Sequence, residues 1–238
     1  MANSYFSFKQ FTVHHDRCAM KVTTDGCLFG AWVAREMENA NCKMETALDV
    51  GTGTGLLSMM VAQKNGVAID AVEIDKVAAE QAAENIKTSP FRNIQVLSLD
   101  AKDLLFKSYD CIFSNPPFYE TELASPDKKR NIAHHSSDLD WDTLFKLITN
   151  HLTADGNFYL LLPYKRHSEI HSLLEKHGLY LAKWITVKPS TSHQPFRLLL
   201  SGQKIEIPIE KNELSIKDSA GNYTPEFTAL LKDYYLYL

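Results

Sequence analysis

Three glycines at alternate positions, Gly51-Thr52-Gly53-Thr54-Gly55, lie between an apolar run ending at Val50 and a helical pattern starting at Leu56. Glycine enters left-handed backbone conformations without steric penalty and leaves room for a ligand where any Cβ would collide. The spacing therefore predicts a tight strand-to-helix turn with a ligand against it. Ala47–Val50 reads as the buried strand before the turn, and Leu56–Lys64, with apolar residues at 56, 57, 60 and 61, as the helix after it. The alternation continues along the chain. Ile69–Glu73, Ile94–Leu99, Tyr109–Phe113 and Phe158–Leu162 read as strands, with helices over Val77–Ile86, Trp141–His151 and His167–His177. Strands separated by helices form a parallel sheet. Leu179–Val187 and Arg197–Gln203 follow one another without a helix between them, which predicts an antiparallel pair at the end of an open, mostly parallel α/β sheet.

Around the turn the carboxylates describe a nucleoside pocket. Glu73 closes the second strand 24 residues after Asp49, where a carboxylate can accept both hydroxyls of a ribose. The spacing is G-x-G-x-G, not the G-x-G-x-x-G that cradles a pyrophosphate, and Asp49 ahead of it would repel phosphate but suits a cationic amino-acid group. These features select S-adenosylmethionine over NAD, with Asp49, Gly51, Gly53, Gly55 and Glu73 as contacts. Asp100, ending the third strand, is placed to take the adenine amino group or to cap the next turn.

A second motif, Ser114-Asn115-Pro116-Pro117-Phe118-Tyr119, falls at the carboxyl end of the fourth strand, where open α/β sheets bind their ligands. Two successive prolines donate no backbone hydrogen bond and hold their segment extended, so the Pro116 carbonyl and the Asn115 amide can face one point. A planar exocyclic NH2 suits that point. Its lone pair is delocalised into a ring, and acceptors holding its protons help turn the lone pair toward a methyl donor. Phe118 can stack on a base that has left its neighbours, with Tyr119 beside it.

The 238 residues are 45% hydrophobic, enough to bury a full core. No apolar run approaches the ~18 residues of a membrane span, and the first residues carry no signal-peptide pattern, so a cytoplasmic chain is expected. Cysteines at 18, 27, 42 and 111 form no C-x-x-C pair, and the histidines at 134, 135, 167, 171 and 177 lack partners in ligand spacing, so no metal is expected. A net charge of −4 disfavours nucleic acid as a partner, but the charge is uneven. Pro163–Leu199 holds six bases against two acids, and Lys128, Lys129 and Arg130 follow the Asn-Pro-Pro-Phe motif closely. Such clusters can collect phosphates on an acidic protein.

Asp49–Gly55, Glu73 and Asn115–Phe118 resemble the binding and catalytic motifs of class I S-adenosylmethionine-dependent amino methyltransferases. The terminal segments are more specific. Phe8-Lys9-Gln10-Phe11, Cys18–Gly26, Gly30-Ala31-Trp32, Tyr223–Phe227 and Asp233-Tyr234-Tyr235 are similar to the bacterial tRNA1(Val) (adenine(37)-N6)-methyltransferases, and the likeness runs essentially end to end. The resemblance implies a Rossmann-like, seven-stranded, mostly parallel sheet with an antiparallel strand near the carboxyl terminus, and methylation of the adenine beside the anticodon. It also makes Thr24 and Asp25 candidate cofactor contacts, or the cap of a helix. One domain is expected over 1–238, with 1–45 an extension on the cofactor side and 46–238 the core. The tRNA would dock on Lys128, Lys129, Arg130, Lys165, Arg166, Lys188 and Arg197, because a base flipped to Phe118 brings its flanking phosphates to these loops. Two alternatives share the motifs: a protein glutamine N5-methyltransferase, and a cofactor-binding subunit without chemistry. The intact Asn115–Phe118 motif argues against the latter. A glutamine enzyme would carry a separate recognition domain, and only residues 1–45 precede the first core strand, so length favours RNA.

Overall fold

The computed structural model describes residues 3–40, 44–105, 107–116 and 140–238. Its centre is an eight-stranded sheet. Strands β3 (Thr46–Val50), β4 (Ala68–Glu73), β5 (Ile94–Ser98), β6 (Tyr109–Ser114) and β7 (Leu152–Pro163) run parallel in the spatial order β7-β6-β3-β4-β5. β9 (Arg197–Gln203) enters antiparallel to both neighbours, between β7 and β8 (Tyr180–Ser190), and β10 (Glu210–Lys217) extends the edge parallel to β8. A separate hairpin pairs β1 (Tyr5–Ser7) with β2 (Thr12–His14).

Seven of the eight sheet strands follow the pattern expected from sequence, with two differences. The antiparallel strand lies inside the sheet, and the edge is the additional β10. β10 escapes hydrophobic patterning because Glu210, Lys211, Asn212 and Glu213 are exposed and only Leu214 and Ile216 turn inward. β9 is unmistakable because Leu198, Leu199 and Leu200 are all fully buried, each burial contributing roughly 1.5–3 kcal/mol.

Alternation along the strands feeds two cores. Ala47, Ile69, Phe113, Tyr159 and Leu199 pack with helices α1 (Thr24–Glu38), α2 (Leu56–Ala62) and α6 (Pro225–Leu231), and Ile86 of α3 (Lys76–Thr88) joins them. Leu48, Val50, Ile112, Phe158 and Leu200 face the other way, onto α4 (Trp141–His151) and α5 (His167–His177). Capping fixes where helices start: Thr23 accepts from Gly26, Asp75 from Ala78, Asp140 from Thr143 and Thr224 from Phe227. The stripe Leu230, Leu231, Tyr234 and Tyr235, read from sequence as a packing helix, is buried, although the helix itself ends at Leu231. Among the described residues no helix is long and apolar enough to cross a membrane.

Candidate cofactor and catalytic site

At the carboxyl ends of β3, β4 and β6 the chain encloses a cavity of about 320 Å³, a size suited to a small ligand. Its floor is the glycine turn. Gly51 and Thr52 both donate their N–H to the Val72 carbonyl at 2.9 Å, drawing the turn against the end of β4. Gly51, Gly53 and Gly55 adopt φ of 73°, 55° and 80°, a left-handed region that side-chain-bearing residues rarely enter. Beyond its chain neighbours, a Cβ on Gly51 or Gly53 would meet no atom of the described residues within 4 Å, and both glycines line the cavity. Gly55 faces Ile86 of α3 and does not line the cavity.

Glu73 stands in the wall, nearly buried. Its Oε2 accepts from the Gly53 N–H at 2.8 Å and its Oε1 from the Asp75 N–H at 2.9 Å. Two backbone donors thus fix the carboxylate and leave further lone pairs for a ligand. Asp49, expected to face a cationic ligand group, is fully buried and does not line the cavity. Its Oδ2 accepts the Thr52 and Ser58 hydroxyls, each at 2.7 Å, while Oδ1 is buried without a partner. Burial pushes its pKa up to about 6 against the pull of those two hydroxyls, and the nearby Glu73 charge adds to the rise. Asp100 lines the cavity as the cap of a short 3-10 turn, accepting from the Lys102 N–H at 2.9 Å and pairing with its ammonium at 3.0 Å.

Across the cavity, the Ser114 hydroxyl donates to the Val50 carbonyl at 2.7 Å and ties the end of β6 to that of β3. This places Asn115 and Pro116 in the lining. The Asn115 amide nitrogen lies 3.8 Å from the Met20 sulfur, and its Oδ1 is buried with no donor among the described residues. Pro117, Phe118, Tyr119, Lys128, Lys129 and Arg130 lie outside the described residues.

The amino-terminal segment supplies more of the lining than sequence motifs indicate. Arg17, Cys18, Ala19, Met20, Lys21, Thr23 and Gly26 line the cavity, whereas Thr24 and Asp25 do not. Thr23 caps α1, and Asp25 in the first turn pairs instead with Arg197 at 2.7 Å. Irregular loops have no periodicity, so the resemblance over Cys18–Gly26 points to this side of the cavity but not to the individual residues, and a pair of amides, Gln81 and Asn85, on the buried face of α3 is a further signal. The Cys18 thiol is pushed up to about 11, chiefly by burial and then by Glu73 and Asp75, so it stays protonated and is no nucleophile at neutral pH.

The expected phosphate-binding cations are engaged within the chain. Arg166 pairs with Glu169 at 2.6 Å and lies 3.8 Å over the Trp141 ring; Lys188 pairs with Glu213 at 2.8 Å, and Arg197 with Asp25. Lys165 is exposed beside Arg166. Ion pairs this near to solvent contribute ~0–1 kcal/mol, so a phosphate can compete for these cations. Histidines are committed elsewhere: His167 to the Tyr164 carbonyl, His177 to Asp142, and His171 in a stack on Trp184. Among the described residues no group of three or more metal-ligating side chains converges.

Residues 31–178 match the family described as Methyltransferase small domain. Among solved structures, a predicted O-methyltransferase from Agrobacterium tumefaciens shares the fold at a TM-score of 0.65 and 16% identity, over 88% of this chain and 96% of that one. M. jannaschii TYW2, solved in complex with AdoMet, shares it at 0.56 and 13% identity, over 86% and 89%. A tRNA1(Val) (adenine(37)-N6)-methyltransferase of Parabacteroides distasonis is 40% identical over 99% of both chains. Identity of that order from end to end, on top of the shared methyltransferase domain, makes this chain a member of the tRNA1(Val) (adenine(37)-N6)-methyltransferase family.

Proposed function

We propose that the protein methylates N6 of an adenine in tRNA, adenine 37 of tRNA1(Val), with S-adenosylmethionine as donor. The observation that carries the reading is that Asn115, whose Oδ1 has no donor among the described residues, lines the same cavity as Glu73. One polar group suits an exocyclic amine and the other a ribose. The bare backbone of Gly51 and Gly53 leaves room for the body of the cofactor between them. When bound, S-adenosylmethionine supplies an electrophilic methyl on a positively charged sulfur.

The chain's own residues orient and do not attack. Glu73 would hold the ribose hydroxyls of the donor, and Asp100, in the same lining, would take its adenine amino group. Asn115 Oδ1 and the Pro116 carbonyl accept hydrogen bonds from the two N6 protons. That pulls the nitrogen out of conjugation and points its lone pair at the methyl group. Phe118 and Tyr119, which follow in the motif, would supply the aromatic surface for the flipped base, while Asp49 acts from beneath the turn by holding Thr52 and Ser58. No nucleophilic side chain is needed, in keeping with the protonated Cys18. The full-length relatives with an adenine methyltransferase name favour RNA over a glutamine amide, and the cytoplasm is where such a substrate is met.

The test is N6-methyladenosine formation in an unmodified tRNA1(Val) transcript, read by nucleoside mass spectrometry. Asn115→Ala should lose at least about 100-fold in turnover, within the range for removal of a positioning group, while calorimetric affinity for S-adenosylmethionine stays at the parent value. Near-normal turnover in the variant would remove Asn115 from the mechanism.

A further inference from the structure

Residues 14–23, from the last residue of β2 to the cap of α1, form a strap along the cavity. The buried His15 pinches its base: Nδ1 accepts from the Val22 N–H at 3.4 Å, which leaves the proton on Nε2, 2.8 Å from the Asn3 carbonyl. One side of this strap is seated on α3. Its face carries Ala78, Ala82 and Ile86, and between them two side-chain amides only 1% exposed, Gln81 and Asn85. Buried amides are unfavourable unless their hydrogen bonds are met. Asn85 Oδ1 accepts from the His14 N–H at 3.0 Å, while its Nδ2 donates to the His14 carbonyl and to the Thr54 carbonyl of the glycine turn, both at 2.9 Å. Gln81 Oε1 accepts from the Arg17 N–H at 3.0 Å, and its Nε2 donates to the Asp16 carboxylate at 2.8 Å. Glu84, on the same side of the helix, pairs with the Arg17 guanidinium.

One helix therefore begins beside Glu73, touches the glycine turn and grips the strap two residues apart. We propose that Gln81 and Asn85 are positioning residues that hold the 14–23 strap as a wall against bound S-adenosylmethionine, setting how tightly it is retained and not how fast its methyl group moves. This rests on the cofactor reading above. Neither amide lines the cavity. Their action passes through Arg17–Lys21 and Thr54, which do.

The full-length protein is tested as Asn85→Ala, Gln81→Ala and Asp16→Ala. The last removes only an exposed acceptor of the Gln81 amide and does not threaten the core. Three readouts are taken: calorimetric Kd for S-adenosylmethionine, kcat on tRNA1(Val) transcript at saturating donor, and tryptic cleavage after Arg17 and Lys21. Asn85→Ala should raise Kd and the donor KM about tenfold, Gln81→Ala about fivefold and Asp16→Ala about threefold, following the three, two and one side-chain hydrogen bonds removed. Saturated kcat should stay within about twofold, and the strap should be cut faster. Folded variants with the parental Kd, or a fall in kcat at unchanged Kd, would overturn the proposal. If Asn85→Ala does not fold, Gln81→Ala and Asp16→Ala decide it by the same criteria. A parent that itself gives no binding heat overturns the cofactor reading instead, and is distinguished by needing no variant.

Discussion

Replacing Asp49 with asparagine isolates the ionisation of the one fully buried carboxyl at the site. The interval from its ordinary value of 3.8 to about 6 corresponds to roughly 3 kcal/mol. The sign follows from proton counts. Between these values the folded protein keeps a proton on Asp49 that the unfolded chain has released, so stability falls as pH rises. The contribution is fully present below about 3.8 and lost as pH climbs through about 6. Asparagine stays neutral throughout. Its Nδ2 would meet no acceptor where Asp49 Oδ1 is orphaned, a penalty of ~1–3 kcal/mol that does not change with pH. Urea unfolding of parent and variant from pH 4 to 8 separates the two effects. The variant should gain on the parent by roughly 2.5 kcal/mol between pH 4 and 7.5, because part of the interval is already lost at pH 4, and no further above it. Ligand binding gives an independent check, because a bound cation favours the ionised carboxyl: S-adenosylmethionine affinity should rise with pH through about 6 in the parent and lose that component in Asp49→Asn. A stability difference that is flat from pH 4 to 8 would refute the assignment of the raised value to Asp49.

Two further outcomes test the site and its partner. Glu73→Ala removes a charge-assisted acceptor worth ~1.5–3 kcal/mol, so calorimetric affinity for S-adenosylmethionine should fall at least about tenfold, and a folded variant with parental affinity takes Glu73 off the ribose. Neutralising Lys128, Lys129, Arg130 and Lys165 together should flatten the salt dependence of tRNA binding by a log–log slope of ~0.7–0.9 for each phosphate left without its cation, with donor affinity intact. Neutralising Lys188 alone should change it less, because Glu213 already holds that charge; a parental slope in the fourfold variant moves docking toward Lys9, Arg17 and Lys21.

The parts of the site legible in the sequence are those whose chemistry is local. The turn is written in consecutive residues because each left-handed position demands glycine, and Glu73 and Asn115 are found by their places at strand ends. Helix α1 is legible only at its start, as the cap read at Thr24 and Asp25, and its length is not, for the opposite reason. Gly26 to Ala34 are buried without interruption, so no polar face sets a 3.6-residue rhythm. The strap is hidden more deeply, since its position depends on side-chain bonds to residues 64 to 71 positions away.

Local reading also misjudges what burial does to a charge. Asp49 precedes the glycines, and from spacing alone it faces the ligand. The fold instead turns it beneath them, against Thr52 and Ser58. The same turn whose Gly51 and Gly53 line the cavity therefore puts the acid out of contact with it. Any attraction between Asp49 and a cationic ligand must act across the backbone of the turn, where low dielectric keeps it strong and the raised pKa makes it conditional on pH. Glu73 differs in having two backbone N–H donors and a face on the cavity. On the proposed reading one acid is the direct ligand for hydroxyls, and the other a buried, titrating support for the turn.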